Sequence, residues 1–129
     1  MAADKEPFSL AERLKSFGHA FRGLAQLVKA EHNFRIHLVA TILVVLTGIL
    51  LNINTAEWLI IIITIGIVLV AEALNSAVEH LCDKVSPGED QQIKKIKDML
   101  AAAVLISAVM AVIIGIIIFL PHILALILQ

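Results

Sequence analysis

Glu72 and Glu79 stand in the segment Ala71-Glu72-Ala73-Leu74-Asn75-Ser76-Ala77-Val78-Glu79, at the far end of a run otherwise apolar enough to cross a bilayer. A carboxylate at membrane depth costs on the order of several kcal/mol unless it is paired, so ionisable groups there mark function. Glu72, Asn75, Ser76, Glu79 and Asp83 follow at i, i+3, i+4, i+7 and i+11, offsets that stack on one side of a helix. Glu72, in the driest surroundings, has the chemistry of a general base able to take a proton near neutral pH. Glu31, Glu79, Asp83 and Asp98 are expected at one level, with Glu72 directly beneath and no excess of nearby cations. A hard divalent cation held by Glu31 and Glu79 would relieve their repulsion, and magnesium suits one or two carboxylates completed by phosphate oxygens. Lys97 would then act as a point charge on those phosphates.

The elements that must position these groups follow from hydropathy. The chain has 129 residues, 60% of them hydrophobic, and a mean hydropathy of +0.95. That apolar share exceeds the norm for soluble domains. Three stretches stand out: Ile36 to Leu51, Trp58 to about Val78, and Met99 to Leu120. A crossing needs about 20 residues, and lipid leaves helix as the backbone state that satisfies its own polar groups. The uncharged part of the second stretch, Trp58 to Ala71, covers only about 21 Å as helix. To match a hydrocarbon core of about 30 Å it must continue through Glu72, which buries that carboxyl about 9 Å below one face. The expectation is an all-α integral membrane unit over 1–129, with transmembrane helices over 34–52, 57–82 and 97–120.

All ten Lys and Arg residues fall before the first span (Lys5, Arg13, Lys15, Arg22, Lys29, Arg35) or between the second and third (Lys84, Lys94, Lys95, Lys97). The positive-inside rule puts the N-terminus and the Asp83–Asp98 loop in the cytoplasm and the C-terminus outside. Glu31, Glu79, Asp83, Lys97 and Asp98 then share the cytoplasmic level, above Glu72. Leu10, Leu14, Phe17, Phe21, Leu24 and Val28 form one apolar stripe, so 8–30 is expected as an amphipathic helix on the membrane interface. Ser9 and Glu12 have the spacing of a capping box. Pro121 is expected to end or kink the last helix, leaving His122 to Gln129 as an apolar tail. Met1 to Pro7 is polar and is expected to carry no secretory signal.

Plainer readings compete. Asn75 and Ser76 could bond across helices, and Lys94 and Lys95 read as headgroup anchors. Glu72 and Glu79 could form a proton relay in a transport subunit. A non-catalytic assembly protein would use the spans only to bind neighbours. Both alternatives leave Glu31, Lys97 and Asp98 without a role. His19, His32 and His37 lack the regular spacing of a metal pair, and the single Cys82 excludes an internal disulfide. The glycine loops of soluble nucleotide folds and the protein-kinase motifs are absent. A net charge of −1 gives no reason to expect nucleic acid.

The segments Glu72-Ala73-Leu74-Asn75-Ser76-Ala77-Val78-Glu79-His80-Leu81-Cys82-Asp83 and Lys97-Asp98-Met99-x-x-Ala102-Ala103-Val104-Leu105-Ile106 resemble the signature of the prokaryotic diacylglycerol kinase family, which includes undecaprenol kinases. The neck Glu31-x-Asn33-Phe34-Arg35-Ile36-His37 is similar as well. The resemblance covers about Leu10 to Ile118. It implies a small membrane enzyme that moves the γ-phosphoryl group of ATP to a lipid alcohol, with Mg2+, on the cytoplasmic side of the bacterial inner membrane. By the same resemblance Glu72 is the base, Glu31 and Glu79 hold magnesium with ATP, and Lys97 and Asp98 contact the nucleotide. Arg13 and His19 lie near nucleotide and lipid, although His19 stands where the best-known members carry a tyrosine. Asn75, with Asn33, Arg35 and Ser76, is assigned to substrate binding or positioning. The Gly88-Glu89-Asp90 loop falls where other members contact nucleotide but differs in its residues. Family members are homotrimers with sites shared between neighbours, and the neck resembles the undecaprenol branch more than the diacylglycerol one.

Overall fold

The computed structural model describes residues 9–128, so the expectations placed on Met1 to Phe8, including Lys5, and on Gln129 lie outside the described residues. The described residues form four helices: α1 Leu10–Ala30, α2 His32–Leu50, α3 Thr55–Val85 and α4 Gln91–Ile127. Helices α2, α3 and α4 are each long and apolar enough to cross a membrane. At 1.5 Å per residue α3 is about 46 Å long and α4 about 55 Å, so both overrun a hydrocarbon core of about 30 Å. Helix α3 is central, packed extensively along α4 and less so against α2, while α1 contacts α2. Most large apolar side chains of the three long helices face outward, as a bilayer solvent requires.

The two ends of the bundle differ in what holds them. At the end opposite Glu79, α2 turns into α3 through Leu51–Asn54. Asn52 adopts the left-handed conformation with φ 50°, which a short polar side chain tolerates better than a branched one. Asn54 then starts α3 with a reciprocal capping box. Its Oδ1 accepts from the Glu57 N–H at 3.0 Å, and Glu57 Oε2 accepts from the Asn54 N–H at 2.8 Å. Two amides that would otherwise lack partners are thereby satisfied. Behind the turn, Ile53, Ile61 and Ile118 form the buried apolar cluster, joined by Trp58 and Phe119. Gly48 is buried here, and a Cβ at this position would lie 2.9 Å from Trp58 Cη2 and 3.1 Å from Ile53 Cδ1. The glycine therefore does more than ease helix packing: it makes room for the indole.

Three expectations change. Ser9 holds the N-cap position of α1 with extended backbone, but its hydroxyl makes no capping bond. At an exposed helix end water can satisfy the open amides. The last helix starts at Gln91 rather than 97. Asp90 caps it, its Oδ1 accepting from the amides of Gln92 (2.7 Å) and Ile93 (3.2 Å), so the basic stretch Lys94–Lys97 is helix and not loop. Pro121 lies inside α4 and does not end it. A proline removes one backbone donor, and membrane helices accommodate this through local readjustment. At the next residue, His122 Nδ1–H donates to the Ile118 carbonyl at 2.9 Å while Nε2 lies 3.5 Å from Glu57 Oε2. What reads in sequence as an inert tail thus ties the end of α4 to the start of α3.

Replacing Gly48 by alanine is expected to destabilise the hairpin by about 1–3 kcal/mol, the cost of overpacking a filled site. Gly18, with open space around it, should accept alanine with a change within about 1 kcal/mol in the stabilising direction. Thermal unfolding in detergent checks both, and equal melting temperatures for Gly48→Ala and the parent chain would contradict the packing account.

Candidate active site

The stripe anticipated on α3 is inside the protein. Glu72 is 2% exposed, Asn75 6% and Ser76 2%. Cys82 is buried on the same helix as a free thiol. Glu79, one turn beyond Ser76, is partly buried, and Asp83 is at the surface. The helix period of 3.6 residues explains the gradient: one face points into the bundle along its length, and only its end reaches solvent.

Around Glu72 the structure gathers charge from three elements. His37 of α2, Glu79 of α3 and Glu31 at the α1–α2 junction all act electrostatically on its carboxyl. Of these, His37 is not among the site residues the sequence points to, where it reads as part of the neck and as a histidine without the spacing of a metal pair. The available signal is that His37 lies one turn after Phe34, which is buried at 3% exposure. Glu31 is the residue between α1 and α2 that leaves helical geometry, with φ −96° and ψ 114°. It occupies the N-cap of α2 but makes no side-chain capping bond there. Its Oε1 instead accepts a hydrogen bond from His80 Nε2 of α3 at 2.7 Å.

On the same end of the bundle Lys97 Nζ pairs with Asp83 Oδ1, joining the start of α4 to the end of α3. Glu79 also acts electrostatically on Lys97. The structure therefore brings Glu31 and Glu79 near Glu72, and Lys97, paired with Asp83, within electrostatic reach of Glu79. Asp98, Asn33 and Arg35 lie at the surface and not in the buried stripe. His19 Nδ1 accepts from Arg22 Nη2 at 2.8 Å on the exposed face of α1. The helical rise puts His19 about 18 Å and Arg13 about 27 Å along α1 from Glu31.

Two features bear on ligands. Asn75 Oδ1 is buried and has no hydrogen-bond partner, although buried acceptors are nearly always satisfied and an orphan costs on the order of 1–3 kcal/mol. A bond across helices therefore does not account for this oxygen. Among the described residues no three His, Cys, Asp or Glu side chains form a metal-binding group. The acidic donors near Glu72 are Glu31 and Glu79, a set that fits magnesium whose other ligands come from phosphate and unsuited to a closed all-protein cage. Two cavities open beside α3. One of about 560 Å3 runs between α2, α3 and α4 from His37 and Thr41 toward Phe119. The other, about 270 Å3, lies between α1 and α3 and includes Gln26, Glu31, Ser76 and His80.

A family model described as prokaryotic diacylglycerol kinase matches residues 18–119. The undecaprenol kinase of Bacillus subtilis is 40% identical over 107 residues, covering 83% of this chain and 87% of that protein. A diacylglycerol kinase of Synechocystis is 33% identical over 114 residues, covering 88% of this chain and 65% of the relative. The Escherichia coli diacylglycerol kinase is 32% identical over 100 residues, covering 78% and 82%. With a match over most of its length and every element of the Glu72 cluster inside the matched region, the chain belongs to the prokaryotic diacylglycerol kinase family.

Proposed function

We propose that this membrane protein is a lipid kinase that transfers the γ-phosphoryl group of ATP to the hydroxyl of a membrane lipid alcohol. The observation that carries the reading is Glu72, a carboxyl 2% exposed within a membrane-crossing helix and just beneath a ring of charged residues. A water-soluble acceptor would not need its base sunk to that depth. A lipid hydroxyl sits just under the headgroups, where span arithmetic places Glu72.

In this reading Glu72 accepts the proton of the lipid hydroxyl, whose oxygen forms a bond to the γ-phosphorus. The bond from that phosphorus to the β–γ bridging oxygen breaks, and ADP leaves. Glu31 and Glu79 hold Mg2+ with the ATP phosphates. When bound, the cation neutralises phosphate charge. Lys97, steered by Asp83, adds a point charge on the phosphates, and Asp98 contacts the nucleotide. Asn75 offers its unpaired Oδ1 toward the reacting groups, with Ser76, Asn33 and Arg35 positioning the acceptor. Phosphoryl transfer is mostly a matter of alignment and charge neutralisation, which this set supplies. The positions of the basic segments support an orientation with the charged end of the bundle and the N-terminus on the cytoplasmic side of a bacterial inner membrane and the C-terminus outside. Helix α1 lies on that interface. The separation of Arg13 and His19 from Glu31 supports a site completed by α1 of a neighbour in a homotrimer.

Undecaprenol is the favoured acceptor. The neck residues Glu31 to His37 and the higher identity to an undecaprenol kinase support it over diacylglycerol. Purified protein in bilayers, given ATP and magnesium with each lipid separately, should phosphorylate undecaprenol with the larger kcat/KM; a clear preference for diacylglycerol would reverse the assignment. Glu72→Gln is expected to lower kcat about 10²- to 10⁴-fold, the usual contribution of a positioned general base, with helicity unchanged by circular dichroism. Near-normal transfer by that variant, or a parent chain that conducts protons and phosphorylates no lipid alcohol, would refute the kinase reading. Chelation of magnesium should abolish transfer and its re-addition restore it; activity persisting in excess chelator would remove Glu31 and Glu79 from their assigned role.

A further inference from the structure

His80 stands beside Glu79 in sequence but serves a different face of α3. Successive helical residues are rotated by about 100°, so Glu79 joins the stripe of Glu72 while His80 joins Ala73, Ser76 and Ala77 on the side toward α1. These four residues line the cavity between α1 and α3, and Glu31 lines it from the opposite side. Across it His80 Nε2–H donates to Glu31 Oε1 at 2.7 Å, a contact between residues 49 positions apart. The donor is available in the neutral Nε2–H tautomer and in the imidazolium alike.

We propose that His80 is a positioning residue that clasps the α1–α2 junction to α3 and fixes the direction of the Glu31 carboxylate. The proposal rests on the magnesium role assigned to Glu31 above. Three observations support it. Glu31 sits in extended backbone between two helices, where no helical side-chain packing sets its rotamer. Its side chain makes no capping bond to α2, and the contact that holds its carboxylate is the one across to His80. The same helix that carries Glu79 provides the clasp, so the Glu31 carboxylate is tethered to the element that carries the other acidic donor. With Oε1 engaged by His80, Oε2 is left to face a cation.

The contact is not there for bulk stability. The His80 side chain is 71% exposed and that of Glu31 22%, and exposed pairs contribute little to folding. Groups that orient a metal ligand, by contrast, typically change metal affinity or activity 10- to 100-fold when removed. His80 is therefore dispensable to the fold and influential at the site.

The test compares the full-length chain in lipid nanodiscs with His80→Ala and His80→Gln, the latter keeping an N–H donor. Manganese(II) binding in the presence of a non-hydrolysable ATP analogue is read by electron paramagnetic resonance, and steady-state kinetics are read separately for Mg-ATP and for lipid. In His80→Ala the manganese dissociation constant and the KM for Mg-ATP should both rise about tenfold, the lower end of the range for such orienting groups. The KM for lipid should stay unchanged, and His80→Gln should recover most of the lost affinity. A folded His80→Ala with parental manganese affinity, beside a parent chain that phosphorylates lipid, overturns the clasp alone. A glutamine variant as impaired as the alanine variant also overturns it, because the hydrogen bond would then not be the cause. A parent chain without transfer to any lipid alcohol overturns the kinase reading and the clasp with it.

Discussion

The burial of one carboxyl, Glu72, constrains everything around it. An acid 2% exposed in a membrane-crossing helix is tolerable only if an opposite charge or a hydrogen-bond partner compensates it. His37 of α2 is the group placed to do so, Asn75 and Ser76 are buried with it on α3 itself, and Glu79 and Glu31 stand nearby as like charges. The fold at this end is an arrangement for keeping polar groups together under a charged rim.

The other end has the opposite character. There Gly48, Trp58, Ile53, Ile61 and Ile118 interlock, and the Asn54–Glu57 capping box and the Glu57–His122 contact close the turn. Packing at that end holds α2 and α4 against α3, so the charged end need not be held by apolar contacts of its own. Polar side chains are free there to face one another, and Lys97–Asp83 and His80–Glu31 join elements without sealing the cavities beside the stripe. The division separates what stabilises the bundle from the polar groups of the candidate site.

Much of this is legible in the residues. Long apolar runs announce three spans because lipid admits few alternatives, and the 3.6-residue period puts Glu72, Asn75 and Ser76 on the inward face. What escaped detection depends on partners distant in sequence. His80 looks like an incidental neighbour of Glu79 until the fold brings Glu31 opposite it. His37 reads as neck, and its influence on Glu72 requires the approach of α2 to α3. Helix ends misled in both directions: a serine with capping spacing makes no cap, Asp90 starts α4 early, and Pro121 fails to stop it. Local signals give propensities, and tertiary context decides which are used.

If the carboxyl of Glu72 is a base held at a fixed height, moving it should slow transfer even though an acid remains. Glu72→Asp keeps the acid but withdraws it by one methylene, about 1.5 Å, a displacement that can cost about 10²-fold in rate. Single-turnover transfer from Mg-ATP to undecaprenol in bilayers measures this directly. A rate reduced about 100-fold with both substrates bound as tightly as before fits the account; an aspartate variant that transfers phosphate at the parental rate would contradict it.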